Sequence, residues 1–205
     1  MPPSAAPAPA PAREKRAPSA PATGEALGKL RAEIAACEAC PLGKSGPPLF
    51  GQGRQEPGLD LLIVSDPAPM GNNGQVFSGP DEELLTKMMA AINVDLDELF
   101  RTNICKCPVT SPPSPAYLSK CQDHLQKQIR LLQPKVIMTM GSLASQTVLG
   151  QNHQLAALRG RFHHYQGHPL VATYHPELLR QYPDLKKAAW YDLQLIQSRL
   201  EKNSG

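Results

Sequence analysis

No stretch of this chain approaches the ~20 consecutive apolar residues needed to cross a bilayer, and its N-terminus lacks the continuous apolar core of a secretion signal. A large excess of charge of one sign is lacking as well. The net charge is +3, and residues 1–24 supply two of those three charges through Arg13, Lys15 and Arg16 against Glu14. The remainder is close to neutral, which argues against a nucleic-acid binder held by a broad positive field. Binding through a few placed phosphate contacts stays open. Cysteine is sparse and odd in number, five in 205 residues, so a small disulfide scaffold is excluded. With no secretion signal the expected compartment is the cytoplasm, where thiols stay reduced and a C-x-x-C pair favours metal or redox chemistry over a structural bridge.

What is present falls into two parts. Residues 1–24 are almost all proline, alanine and serine with a few charges. They offer no apolar face to bury and are expected to form a disordered tail, a passive solvated segment more than a tether, with no partner named by its sequence. Residues 25–205 read as one domain of helices alternating with strands. Leu27, Leu30 and Ile34 sit at helical spacing ahead of Cys37. The runs at 59–65, 98–107, 135–140 and 169–174 read as strands. Segments at 81–92, 117–132, 141–148 and 185–200 read as helices. Such alternation implies an α/β fold, a three-layer αβα sandwich around a mostly parallel four-stranded sheet. In sheets of this kind the ligand site lies beyond the carboxyl ends of the strands. The residues just past those ends are Asp66, Asn103 to Cys107, Gly141 and His175.

Four cysteines group as Cys37 and Cys40, then Cys107, then Cys121, a set that two clusters could bring together as a metal site. Cys105 is the extra one and fits a small buried hydrophobe on a strand. A thioredoxin-like dithiol would follow a strand, whereas this C-x-x-C follows a helix. Spacing alone does not separate zinc from a [4Fe–4S] cluster.

From about residue 30 to the end, the chain resembles the family 4 uracil-DNA glycosylases, the iron–sulfur branch of the uracil-DNA glycosylase superfamily. The resemblance rests on "CEACPL" at 37–42, "LFGQG" at 49–53, "RTNICKC" at 101–107, "PKVIMTMGSLA" at 134–144, "LRG" at 158–160, "TYHPELLR" at 173–180 and "WYDL" at 190–193. Each piece is weak alone; their shared order and spacing are specific. The resemblance implies a [4Fe–4S] cluster on Cys37, Cys40, Cys107 and Cys121, structural in role. It implies a monomer acting on uracil-containing DNA, single- or double-stranded, in the first step of base excision repair. No membrane is involved.

The same resemblance implies roles for particular residues. Phe77, between glycines in "GQVFSG", matches the position that stacks on the extruded base; the plainer reading is core packing. Asn103 matches the position that reads the Watson–Crick edge, where one amide can accept from uracil N3–H and donate to O4; the plainer reading is a turn former. His175 matches the donor to the leaving base. Arg180 would hold phosphate, with Leu178 or Leu179 as a wedge in the vacated stack. Two positions depart from the family. "SDPAPMGNNGQVF" puts Asp66 where that family carries glutamate and lacks its acidic pair. Asp66 then either serves the attacking water or merely initiates a turn before Pro67. Glu177 replaces a serine, and a carboxylate there would repel the DNA backbone. A glycosylase is the first reading. The alternative is an iron–sulfur nucleic-acid-binding or interaction module with weak or no catalysis, and a zinc-stabilised α/β hydrolase acting on a nucleotide is a third.

Overall fold

The computed structural model describes residues 20–203. Most of the expected tail, residues 1–19, lies outside them. Residues 20–24 need correcting: they form the first turn and a half of helix α1, Ala20–Ala35. Alanine is the best helix former, and Thr23 is already fully buried there alongside Leu27, Leu30 and Ile34. The ordered domain therefore begins earlier than composition implied.

Six strands make one sheet: β1 Gln52–Gly53, β2 Leu61–Ser65, β3 Phe100–Asn103, β4 Val136–Met140, β5 Phe162–Tyr165 and β6 His168–Thr173, in the order β1-β3-β2-β4-β6-β5. The inner four are mutually parallel and correspond to the four strands expected, except that the second stops at Asn103, so residues 104–107, Cys105 among them, are bend and not strand. β2 and β4 are buried at every position, which is why they read as unbroken apolar runs rather than alternating ones. The two edge strands are antiparallel additions that the sequence reading lacked. β1 has only two residues and so carries no periodicity. β5 is rich in histidine and half exposed; it is folded back on β6 by Gln166 and Gly167, both at positive φ (50° and 84°), as a two-residue primed turn requires.

Helices cover both faces. α1, α3 (Pro115–Leu132) and α4 (Ser142–Leu149) bury Leu27, Leu118, Leu125, Ile129 and Val148 with Leu62, Val64 and Ile137 on one face. On the other, α2 (Pro80–Ala90), α6 (Pro176–Gln181) and α7 (Lys186–Asn203) bury Leu85, Met89, Leu179, Leu193 and Ile196 against Leu61, Ile63 and Met138. A single turn, α5 (Leu155–Leu158), precedes β5. The three-layer sandwich is thus as expected. No helix among the described residues is long and apolar enough to cross a membrane.

The "LRG" and "WYDL" segments meet in one buried polar knot. Asp192, fully buried, accepts from Arg159 Nε at 2.9 Å, Thr173 Oγ1 at 2.8 Å and the Gly160 amide at 2.9 Å. Arg159 also donates to the Ala188 carbonyl. The knot ties α7 to the end of β6, one residue pair upstream of His175. Removing one member of a buried, fully bonded ion pair leaves the other uncompensated, which costs about 3–5 kcal/mol. Asp192→Ala should lower the unfolding free energy by that amount in urea titrations. A loss under 1 kcal/mol would mean that the knot is not structural.

Candidate functional site

The carboxyl ends of β2, β4 and β6 open into a cavity of about 340 Å³ whose walls include Asp66, Asn72, Phe77, Ser78, Asp81, Gly141, Ser142, His175, Glu177 and Leu178. The position is the one expected for a parallel sheet. Each chemically capable side chain is held there by a local backbone feature.

Asp66 leaves β2 and turns its carboxylate onto the start of α4. Its Oδ1 accepts from the Ala144 amide at 2.6 Å, and the Leu143 amide also bonds to the carboxylate. The approach is close enough to require Gly141: that residue has φ +108°, and a Cβ there would collide with the Asp66 carboxylate. Burial pushes the Asp66 carboxyl up to about 6, the two amide bonds opposing and the Glu177 charge adding. Asp66 is therefore more than a turn former. It is a desolvated carboxylate, ionised at neutral pH, on the cavity wall.

His175 is the N-cap of α6, and its Nδ1 accepts from the Glu177 amide at 3.2 Å. A ring nitrogen that accepts carries no proton, so in the neutral ring the proton is on Nε2. Burial holds the ring below the usual histidine range, favouring that neutral form against the charges of Asp81 and Glu177. His175 thus offers one fixed N–H donor. Phe77 is stacked on it, ring centroids 5.4 Å apart and planes at 27°. Phe77 is at once buried in the core and part of the cavity wall.

Asn103 ends β3 behind this wall and is not among the residues lining the cavity. Its Nδ2 donates to the Asp66 carbonyl at 2.7 Å. Its Oδ1 is buried with no hydrogen-bond partner, an expensive state for an amide oxygen unless a ligand supplies the donor.

Two of the DNA-facing expectations change. Leu179 is 1% exposed and packs in the core with Leu85 and Leu193, so it cannot be a wedge; Leu178 lines the cavity and remains available. Arg180 donates through Nε to Asp81 at 2.7 Å instead of standing free. Asp81 is the residue that the sequence reading missed as a site member. A carboxylate in the first turn of a helix is by itself an ordinary favourable dipole contact and carries no site signal. With His175 and Glu177 it forms a trio of possible ligand atoms within 4.8 Å of one another, the only such trio among the described residues.

The cysteines lie apart from the cavity. Cys37 follows α1, Cys40 precedes a 3₁₀ turn at Pro41–Lys44, Cys107 lies just after β3 and Cys121 is on α3; all five cysteines are free thiols. Burial raises the Cys107 thiol to about 11, with further contributions from Cys121, Cys40 and Cys37, so the four share one neighbourhood. They are not drawn to the mutual spacing of roughly 4 Å that one tetrahedral ion imposes. A polynuclear cluster, in which each thiolate meets a different iron, tolerates wider spacing. Lys106 is buried between them and the site, donating to Thr102 Oγ1 at 2.5 Å and the Asn103 carbonyl at 2.8 Å, with burial pushing its amine down to about 7. An anionic thiolate-bound cluster would favour the charged form of this amine, as the neighbouring Cys121 and Cys105 do against burial. The fully buried Cys105 is more than the small hydrophobe expected, because its thiol is hydrogen-bonded to that of Cys121.

The family model of the uracil DNA glycosylase superfamily matches residues 50–194. A type-4 uracil-DNA glycosylase of Archaeoglobus fulgidus is 26% identical over 184 residues, covering 80% of this chain and 92% of that protein. The corresponding protein of Sulfurisphaera tokodaii is 27% identical over 186 residues, 84% of each chain. That of Thermotoga maritima is 24% identical over 188 residues, covering 88% of this chain and 98% of its own length.

The tight seat of Asp66 predicts a sharp response at Gly141. Gly141→Ala adds a methyl where the carboxylate lies and strains a positive φ, which costs about 1–3 kcal/mol from the backbone alone. The variant should be destabilised by at least that much in chemical denaturation, whereas Gly150→Ala, with open space around its Cβ, should lose less. Equal losses would show that the Asp66 contact contributes nothing.

Proposed function

The chain belongs to the uracil DNA glycosylase superfamily, and on that premise we propose that it hydrolyses the N-glycosidic bond of uracil, or of a related deaminated base, in DNA, the first step of base excision repair. The observation that carries the reading is the pairing, in one cavity, of a desolvated carboxylate at Asp66 with a tautomer-fixed N–H donor at His175.

The reaction needs these two groups on opposite sides of one bond. The target nucleotide leaves the stack and its base enters the cavity, where Phe77 supplies an apolar face. The C1′–N1 bond breaks and its electron pair leaves with the base, so negative charge develops on the uracil ring. The His175 Nε2–H donates to O2 of that anion; a neutral donor fixed in place needs no reorganisation as the charge appears. The sugar becomes cationic, and the Asp66 carboxylate stabilises it and takes a proton from the water that adds to C1′. A carboxyl near 6 is largely ionised at neutral pH yet basic enough to accept that proton. Asn103 lies outside the cavity lining but bonds to the backbone of Asp66 on that lining, and it reads a base that penetrates past the wall: its unpartnered Oδ1 then accepts from N3–H, and its Nδ2, already turned to the Asp66 carbonyl, has a second hydrogen for O4. Leu178 fills the vacated stack, and Arg180, once released from Asp81, meets phosphate.

Cys37, Cys40, Cys107 and Cys121 would hold a [4Fe–4S] cluster, which when bound cross-links the N-terminal helix to the loop after β3. The protein acts as a monomer in the cytoplasm on single- or double-stranded DNA. One observation favours the alternative of a binding module with little catalysis: Asp66, Asp81 and Glu177 put three carboxylates on the cavity walls, which weakens the approach of phosphate.

Single-turnover release of uracil from a labelled oligonucleotide separates the two. Asp66→Asn and His175→Ala should each slow release by about 10²-fold or more, with DNA affinity unchanged or improved for Asp66→Asn. A parent without release above background establishes the binding module instead. An active parent indifferent to both substitutions would overturn the mechanism.

The pH profile carries its own sign. Because the folded-state value of Asp66 is raised to about 6, release should fall about tenfold per pH unit below 6. Protonation of Asp66 favours the fold across the same window, from about 6 down to the ordinary value near 4, so the acid limb should appear without unfolding that begins at this residue. Circular dichroism recorded across the profile checks this; a rate flat from pH 7 to pH 5 would remove Asp66 from the proton transfer.

A further inference from the structure

Outside the site, one surface stands apart from the rest. α2 and α7 leave between them a cleft of about 190 Å³ lined by Leu84, Met88, Ala91, Leu179, Ala189, Trp190 and Leu193, with Lys87 and Lys186 at its rims. Its walls are apolar side chains, and Trp190 is 40% exposed, the chain's only tryptophan. A large aromatic left half in water beside a formed apolar cleft is the usual anchor pocket of a recognition surface. Neither rim lysine makes an ion pair within the described residues.

We propose that this cleft docks an acidic peptide segment of a partner protein, one large apolar side chain entering between Leu84 and Trp190 while flanking carboxylates meet Lys87 and Lys186. Two other occupants fit the surface less well. The chain's own first residues carry Arg13, Lys15 and Arg16 against Glu14, a positive segment that the two lysines repel. A second copy would need an interface of about 1,200 Å² or more, whereas the cleft has room for only one or two side chains. The occupant is therefore short, anchored at one point and negative. The interaction is independent of base release, since none of the rim residues lines the catalytic cavity.

Because Trp190 is the only tryptophan, its emission reports the cleft directly. The probe is the acetylated peptide Asp-Glu-Asp-Leu-Phe, titrated into the full-length protein, with Lys-Lys-Lys-Leu-Phe and Asp-Glu-Asp-Ser-Ser as controls. The acidic apolar peptide should shift Trp190 emission to the blue with saturation, weaken as salt is raised, and bind at least tenfold more weakly to the double variant Lys87→Glu, Lys186→Glu. Both lysines are exposed, so these variants should keep the parent's circular dichroism and rate of uracil release. The inference is overturned if the acidic peptide gives no saturable shift up to millimolar concentration, or if either control binds as well. It is also overturned if deleting residues 1–19 moves the emission, or if sedimentation shows a dimer that Trp190→Ser disperses, for then the tail or a second copy is the occupant.

Discussion

A carboxylate pressed onto the first turn of a helix organises the site. Asp66 leaves the buried strand β2 and gives its Oδ1 to the Ala144 amide, so the β2 end and the start of α4 cannot move apart without stranding helix N–H groups. The same contact sets the chemistry. Amide donors and the helix dipole favour the ionised form, burial disfavours it, and burial wins by a modest margin. A more exposed carboxylate would be too weak a base at neutral pH; one buried without amide partners would stay protonated. Gly141 is the geometric condition for the compromise, because any side chain there would occupy the space of the carboxylate.

The loop that follows Asp66 is turned on itself by Asn72, whose amide donates to the Pro69 carbonyl at 3.3 Å and whose carbonyl accepts from the Gln75 amide at 2.9 Å. It is also tied down by the segment after β3. The Val109 amide donates to the Ala68 carbonyl at 2.9 Å and the Met70 amide to the Val109 carbonyl at 3.0 Å, forming a short parallel bridge between Pro69 and Val109. Val109 lies two residues beyond Cys107. Whatever restrains Cys107 therefore restrains the wall of the cavity, by way of backbone hydrogen bonds that do not depend on loop sequence. Lys106 adds a second link: its amine reaches the Asn103 carbonyl, so the cysteine-bearing loop and the end of β3 are one rigid piece. Cysteines distant from the chemistry can in this way be needed for it without taking part in it.

The sequence made the inner sheet legible because parallel strands buried on both faces read as unbroken apolar runs bounded by turn residues, and "LDLLIVSDP" and "PKVIMTMG" are such runs. It made Asp66, Gly141 and His175 legible because each lies just past the end of one of those strands. What it hid has physical reasons. β1 is too short for a period. β5 is stabilised by its hairpin turn and its partner more than by its own propensity. The choice between Leu178 and Leu179 depends on which face of a six-residue helix meets the core, and two adjacent leucines carry no periodic signal. Asp81 is 94 residues from His175 in sequence, and only the packing of α2 against α6 brings it to the cavity. Phe77 illustrates the opposite case: the sequence marked it either as core or as a site residue, and the ring is buried in the core while lining the cavity.

The acidic character of the cavity mouth follows from the same packing. Glu177 and Asp81 flank His175, and each is partly engaged: Asp81 by Arg180, and Glu177 by the Gln181 amide at 3.3 Å. Arg180 is exposed and Asp81 half-buried, so the pair is held by modest net energy, about 1 kcal/mol, and a phosphate offers the arginine an equivalent partner with more charge. Exchange of Arg180 from Asp81 to a phosphate would cost little in itself. It would leave Asp81 without its cation next to the ring of His175, and two uncompensated carboxylates then face that ring. They would favour imidazolium over imidazole, against the burial that keeps the ring neutral. Burial remains the largest influence on His175, so the ring stays the neutral donor, and the position of Arg180 only modulates how strongly that form is favoured.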